Sequence, residues 1–387
     1  MDTGGWGGTW PENVGRRGES WFFRVDLPPG PDGKRRQKRV GGFATEREAR
    51  RALAQSKVDI DTGKLRYGAR RTVAELAAEW LEAVRPNRKA STFSNYGWLM
   101  RAYVVPRIGP ARLDRLTPAD VQKLYSDLRS SGGQGGKPLS GTQVHNIHGV
   151  LHNALSYAVR MGYISRNPAE AIDKPRQDTE ERPVYTPDQV RHFLAVAEGD
   201  RLRAMWHLEL ATGLRRAELA GLRWRDVTLD RDPPVLAVRS TRTTAGHLVV
   251  EYDPKTRSGK RVLHLDSGTR DILLGHRAAM AAEAEKRAEP TVPEYVFVDE
   301  LGDPYHPAQL TRALHSLQDR AGLPQITLHD LRHTAATVAL LAGVHPKVVS
   351  ERHGHASTQI TLDRYSHVIE SMQTAAADAI GRFLIPE

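Results

Sequence analysis

The chain contains no cysteine, which excludes disulfides, thiolate metal sites and cysteine nucleophiles together. It lacks any apolar run approaching the roughly 18 residues that a membrane-spanning helix needs. The longest such run, Ala335 to Val344, is about ten residues. The first residues, glycine-rich and containing Asp2, do not follow the basic-then-apolar order of a signal peptide. There is no Walker-type phosphate loop and no clear carboxylate cluster, so the signatures of ATP-driven and metal-assisted chemistry are missing. The expectation is a cytoplasmic protein with no membrane attachment and no cofactor. At 387 residues the chain is too long for one compact core, and two or three domains are expected.

What is present in excess is positive charge. The net charge is +10, which suits a polyanionic partner better than a neutral one. Its distribution is uneven. Residues 1–70 carry a net +6, residues 71–174 another +6, and the remainder −2. Two separate segments sharing the bias point to nucleic acid rather than to a generally solvated surface.

The pattern along the chain predicts a mainly helical protein with small antiparallel sheets. Trp21 to Leu27 reads as a strand, Pro28 to Gly33 as a turn, and Lys34-Arg35-Arg36-Gln37-Lys38-Arg39-Val40 as the returning strand. Thr45 with Glu48 is a capping box opening a helix to about Asp59. A sheet faced by Lys34, Arg35, Arg36, Lys38 and Arg39 could lie against a DNA groove. Residues 71–174 read as all-helical. Thr72 with Glu75 and Thr117 with Pro118 mark helix starts, Ala90 to Tyr103 is a helix, and a long one runs from Ser140 to Met161. Asp173 to Pro183 reads as a linker. From Val184 onward helices enclose three strand-like runs, Val235–Arg239, His247–Tyr252 and Arg261–Leu265, expected to form one small antiparallel sheet.

Four segments of this last region collect groups suited to a phosphate. In Thr212-Gly213-Leu214-Arg215-Arg216-Ala217-Glu218, Gly213 permits a turn and Glu218 sits where it can orient Arg215. Alone, this pair would be an ordinary salt bridge. In Thr327-Leu328-His329-Asp330-Leu331-Arg332-His333, the Thr327–Asp330 cap puts His329 and Arg332 on one face at a helix start, which favours an anion. His329 and His333 also have the i, i+4 spacing of a zinc pair, but Asp330 stands where a metalloprotease helix has glutamate. His353-Gly354-His355 follows a helix that Pro346 can begin and Gly354 can end, and Tyr365 comes ten residues after His355. Taken singly, Tyr365 would be structural. The fourth segment, Pro254 to Arg261, is a basic turn that on its own would be a solvated hairpin tip.

Together these groups suit exchange at a phosphodiester. Two arginines can hold both non-bridging oxygens and do not lose their protons. Placed beforehand, they stabilise the charge that develops during attack. A tyrosine phenol, with a reference pKa of about 10, needs a nearby histidine and the arginines' field to attack. A lysine on a hairpin can protonate the leaving oxygen, and the covalent ester keeps the energy for rejoining without ATP.

These motifs, in this order and at these spacings, resemble the tyrosine recombinase (phage integrase) family, and the resemblance covers the whole chain. It implies that Arg215 and Arg332 clamp the scissile phosphate, that His329 and His355 assist, and that Tyr365 attacks to give a 3′-phosphotyrosine. Glu218 and His333 would support them, and Lys255 would be the hairpin general acid, with Lys260 a close competitor. Residues 1–70 then resemble an arm-site DNA-binding module, 71–174 the helical core-site-binding domain, and 183–387 the mixed α/β catalytic domain. The implied partners are double-stranded DNA at attachment sites, three further copies in a homotetramer, a host DNA-bending protein and an excision or directionality factor. Bound to DNA, the protein would be nucleoid-associated. The apolar stripe Met372, Ala376, Ile380 and Phe383 would dock on a neighbouring subunit. His353 departs from the leucine usual before the glycine, which puts local helix packing in question. A catalytically silent DNA-binding protein and a type IB topoisomerase are the competing readings.

Overall fold

The computed structural model describes residues 13–27, 36–61, 71–178, 183–253, 259–287 and 292–354, with 357–359, 362, 377, 380–381 and 384 beyond them. Its backbone falls into two units, 1–179 and 180–387. Among the described residues no helix is long and apolar enough to cross a membrane.

The first unit begins with β1 (Val14–Arg17), β2 (Ser20–Leu27) and β3 (Arg36–Phe43), an antiparallel sheet in that order, followed by helix α1 (Glu46–Asp61). Alternation along β2 decides which face is covered. Phe23 and Val25 are buried together with Ala49 of α1, and Phe23 stacks on Phe43 at 5.6 Å. On the opposite face the Arg39 guanidinium lies 3.6 Å from the centre of the Phe22 ring. Gly15 pairs with Phe22, and a Cβ there would come within 2.8 Å of the ring. The expected cap holds, with the Glu48 amide donating to Thr45 Oγ1 at 3.3 Å. β1 escaped the sequence reading because its four residues, Val-Gly-Arg-Arg, show no apolar alternation.

The rest of this unit is helical: α2 (Val73–Val84), α3 (Ala90–Leu99), a wide turn at Met100–Val104 leading into α4 (Val105–Ile108), α5 (Pro118–Ser131) and α6 (Gly141–Arg160). The helix starts follow their capping residues. Thr72 with Glu75 and Thr117 with Asp120 form complete capping boxes, and Ser140 accepts from the Gln143 amide. Trp80, Leu76, Met100, Leu124, Leu128, Ile147 and Leu151 fill the core. The segment expected to be a free linker is docked up to residue 178. Asp178 Oδ2 accepts from the Gly141 amide at 2.5 Å, its own amide donates to Thr142 Oγ1 at 3.2 Å, and His145 Nδ1 donates to the Pro175 carbonyl at 2.8 Å. A Cβ on Gly141 would lie 2.5 Å from the Arg176 carbonyl oxygen, so this glycine lets the strap lie down.

The second unit runs α7 (Pro187–Val196), α8 (Arg203–Thr212), α9 (Arg216–Ala220), β4 (Val227–Thr228), β5 (Val235–Val238), β6 (Thr241–Ala245), β7 (Leu248–Tyr252), β8 (Arg261–His264), α10 (Ser267–Lys286), α11 (Pro307–Ala321), α12 (Leu328–Leu341) and α13 (Pro346–His353). Trp206, Phe193, Leu208, Leu236 and Leu314 lie at its centre. The single sheet expected here is two. β4, β5 and β8 form one, in that order, while β7 pairs with β6 in a separate hairpin. β6 (Thr-Arg-Thr-Thr-Ala) has no apolar alternation to betray it, and Gly246 at φ 65° makes the turn.

Candidate functional site

α8 ends at Gly213, which adopts a left-handed φ of 63° and donates its amide to the Glu209 carbonyl. The turn buries Leu214 and leaves Arg215 as the N-cap of α9, with its side chain 40% exposed. Glu218, 3% exposed, accepts from the Arg215 guanidinium at 2.8 Å and from the Arg215 backbone amide at 2.9 Å. It also takes two bonds from Arg261, at 3.0 and 2.9 Å. Burial opposes the charge on Glu218, but Arg261 and Arg215 together hold its carboxyl below the usual range. Sequence reasoning missed Arg261, which it left inside a basic turn. The only signal was an arginine opening a strand next to the hairpin.

α12 begins with the expected capping box, the Asp330 amide donating to Thr327 Oγ1 at 3.2 Å and the Thr327 amide to Asp330 Oδ2 at 3.0 Å. Arg332 therefore leaves the first turns of a fixed helix. It is 2% exposed and donates to the carbonyls of Gly213 and His353. The His329 and His333 rings meet edge to face, 4.5 Å between centres. Among the described residues no group of histidine and acidic side chains is arranged to hold a metal ion.

α13 ends at Gly354, with φ 62°. Its last carbonyls would lack intrahelical partners, and arginines from three elements take them in sequence. Arg261 of β8 donates to the Arg352 carbonyl at 2.6 Å, Arg332 of α12 to that of His353, and Arg215 to that of Gly354 at 2.8 Å. The question raised by His353 is answered by Gly213: the imidazole packs against the glycine, where a Cβ would come within 2.2 Å of Cε1. A ring in place of a leucine is accommodated because the facing residue has no side chain.

The structure thus brings Arg215, Glu218, His329, Arg332 and His333 into one region. Lys255, His355 and Tyr365 lie outside the described residues, as do Lys34 and Arg35, while Arg36, Lys38 and Arg39 fall on β3. Lys260 is exposed and pairs with Asp253 at 3.3 Å. The arrangement presents the half-exposed Arg215 guanidinium, fixed by Glu218 and the Gly354 carbonyl, beside the buried Arg332 guanidinium, fixed by the carbonyls of Gly213 and His353. An anion of phosphate geometry could take bonds from both.

Comparison with known proteins agrees with this chemistry. The phage integrase family pattern matches residues 183–372, an arm DNA-binding domain pattern matches 13–60, and a phage integrase N-terminal SAM-like domain pattern matches 72–129. A tyrosine recombinase XerC-like protein of Caldanaerobacter subterraneus is 27% identical over 333 residues, covering 81% of this chain and 84% of that protein. An integrase of Saccharopolyspora erythraea is 26% identical, covering 94% of each. Among solved structures, the Tn1549 transposon integrase in complex with a circular intermediate DNA superposes with a TM-score of 0.64 at 25% identity, over 76% of this chain and 95% of that one. A lambda integrase dimer bound to a core site shares the fold, with a TM-score of 0.59 at 17% identity over 92% of this chain and 95% of that one. From the N-terminal sheet to the paired arginines, the chain belongs to the phage integrase family of tyrosine recombinases.

Proposed function

We propose that the protein cuts and rejoins duplex DNA at specific sites to move a phage or other mobile element, with Tyr365 as nucleophile. The observation that carries this reading is the convergence of Arg215 and Arg332 on successive carbonyls at the end of α13. The segment bearing His355 and Tyr365 begins directly after it. In the proposed step, Tyr365 Oη attacks the scissile phosphorus, the bond to the 5′-oxygen breaks, and a 3′-phosphotyrosine forms. Arg215 and Arg332 hold the non-bridging oxygens, and their donors are in place before charge develops. His329 or His355 takes the phenol proton, and Lys255 or Lys260 gives one to the leaving 5′-oxygen. Attack by a 5′-hydroxyl on the ester reverses the step with no net change in bond type.

The division into an arm module over 1–70, a core-site domain over 71–174 and a catalytic domain over 183–387 is supported by where the three family patterns fall. A lambda integrase has been solved as a tetramer bound to a Holliday junction, which supports four copies of this chain acting on two duplexes. A host DNA-bending protein and an excision factor belong to the same proposal. The test is a nicked suicide substrate carrying candidate attachment sites. A covalent protein–DNA adduct that disappears in Tyr365→Phe is expected; absence of adduct on a site that the protein binds would overturn the reading. Supercoil relaxation without sequence preference would favour a topoisomerase instead.

A further inference from the structure

Glu209 lies on α8 with no solvent exposure, and neither carboxyl oxygen has a hydrogen-bond partner. Its helical neighbours Met205 and Leu208 are core residues. An isolated carboxylate in such surroundings is strongly disfavoured and ordinarily takes up a proton. Burial indeed pushes this carboxyl well above its usual range, and Arg332, from α12, is the charge that opposes the shift. His207 on the same helix is lowered by burial and then by Arg203, with Glu198 and Asp266 opposing. Arg352 of α13 is lowered by burial, with Asp266 opposing and Arg261 adding to it, and the His353 ring lies on Gly213. Glu209 and Arg332 are also joined through one backbone turn. The Glu209 carbonyl accepts from the Gly213 amide at 2.6 Å, and the Gly213 carbonyl accepts from Arg332.

We propose that Glu209 is a positioning residue for recombination, a buried counter-charge whose protonation sets how firmly Arg332 holds the scissile phosphate. The proposal rests on the phosphate-transfer reading above. Two anions, the Glu209 carboxylate and the phosphate, compete for one buried guanidinium. At a pH high enough for the carboxyl to be ionised before DNA binds, arrival of the phosphate makes it take a proton from solvent, and departure of the phosphate lets that proton return. Engagement of DNA is therefore coupled to proton uptake and weakens as pH rises. Glutamine at this position would hold the uncharged state at every pH.

The test compares wild type, Glu209→Gln and Glu209→Met by single-turnover adduct formation on suicide substrates, from neutral to alkaline pH. Both variants remove the charge, one keeping the polar group and the other filling the space with apolar atoms. The ratio of variant to wild-type rate is expected to rise with pH, by up to about tenfold per unit once the wild-type carboxyl ionises. The effect should appear in the DNA concentration needed for half-saturation more than in the saturated rate. A ratio that stays flat across the range would overturn the proposal, since a merely structural glutamate changes stability without a pH-dependent ratio. Should wild type bind its site yet form no adduct, the recombinase reading fails instead. The pH dependence of DNA binding, compared between the same proteins, then decides the role of Glu209.

Discussion

At the scale of single residues, the site depends on Glu218. One buried carboxylate orients Arg215 and neutralises Arg261, whose side chain is only 8% exposed. Removing the charge strands a buried guanidinium, so Glu218→Gln is expected to lower stability by about 3–5 kcal/mol, read by chemical denaturation. The pH dependence has a definite sign. The folded-state carboxyl titrates below its unfolded value, so its contribution is present above the ordinary glutamate range and is lost as pH falls through the lowered value. His148, in the helical part, behaves oppositely. Burial, then neighbouring positive charges, lowers it to about 4, so the unfolded chain binds the extra proton between about pH 4 and 6.5. Stability should therefore fall with acidification through that window, and His148→Gln should flatten a plot of denaturation midpoint against pH. Gly213→Ala would put a methyl group into the His353 ring at a left-handed φ. A loss of about 1–3 kcal/mol from the backbone alone should show as a lowered melting temperature, with adduct formation falling further.

At the scale of elements, helix starts were the most legible feature of the sequence, because capping is a local contract between residues three apart. Thr72, Thr117, Thr186 and Thr327 all cap where their spacing predicts. Thr327→Ala should cost about 1 kcal/mol and, by loosening the turn that carries His329 and Arg332, slow adduct formation at a given DNA concentration. Strands were read at β2, β5, β7 and β8, and at β3 from the turn before it, and were missed at β1 and β6, whose sequences carry no apolar period, and at β4, which is two residues long. Arg261 was missed for a related reason: its partners Glu218 and Arg352 are remote in sequence, and spacing says nothing about remote pairs. The strap over 173–178 is another contact of this kind. Asp178→Ala removes an acceptor from the start of α6, and the strap is expected to be cut faster by a protease under native conditions. An unchanged cleavage rate would mean that the carboxylate does not hold it.

At the scale of the whole molecule, charge is partitioned: the excess sits in the first 174 residues, while the unit with the paired arginines is near neutral. General attraction to a polyanion and chemistry on one phosphate are thereby assigned to different stretches of chain. Deleting residues 1–61 is expected to flatten the dependence of DNA affinity on salt, because every phosphate that is no longer neutralised keeps about one counterion. An unchanged slope would show those charges to be merely solvated.

The three arginines at the end of α13 have one more consequence. Three successive carbonyls, those of residues 352, 353 and 354, are each held by a guanidinium from a different element, β8, α12 and α9. The chain therefore leaves residue 354 from a surveyed origin. Two of the three guanidinium groups, those of Arg332 and Arg215, are the ones proposed to grip the phosphate. A displacement of the end of α13 would therefore be felt by those same two side chains.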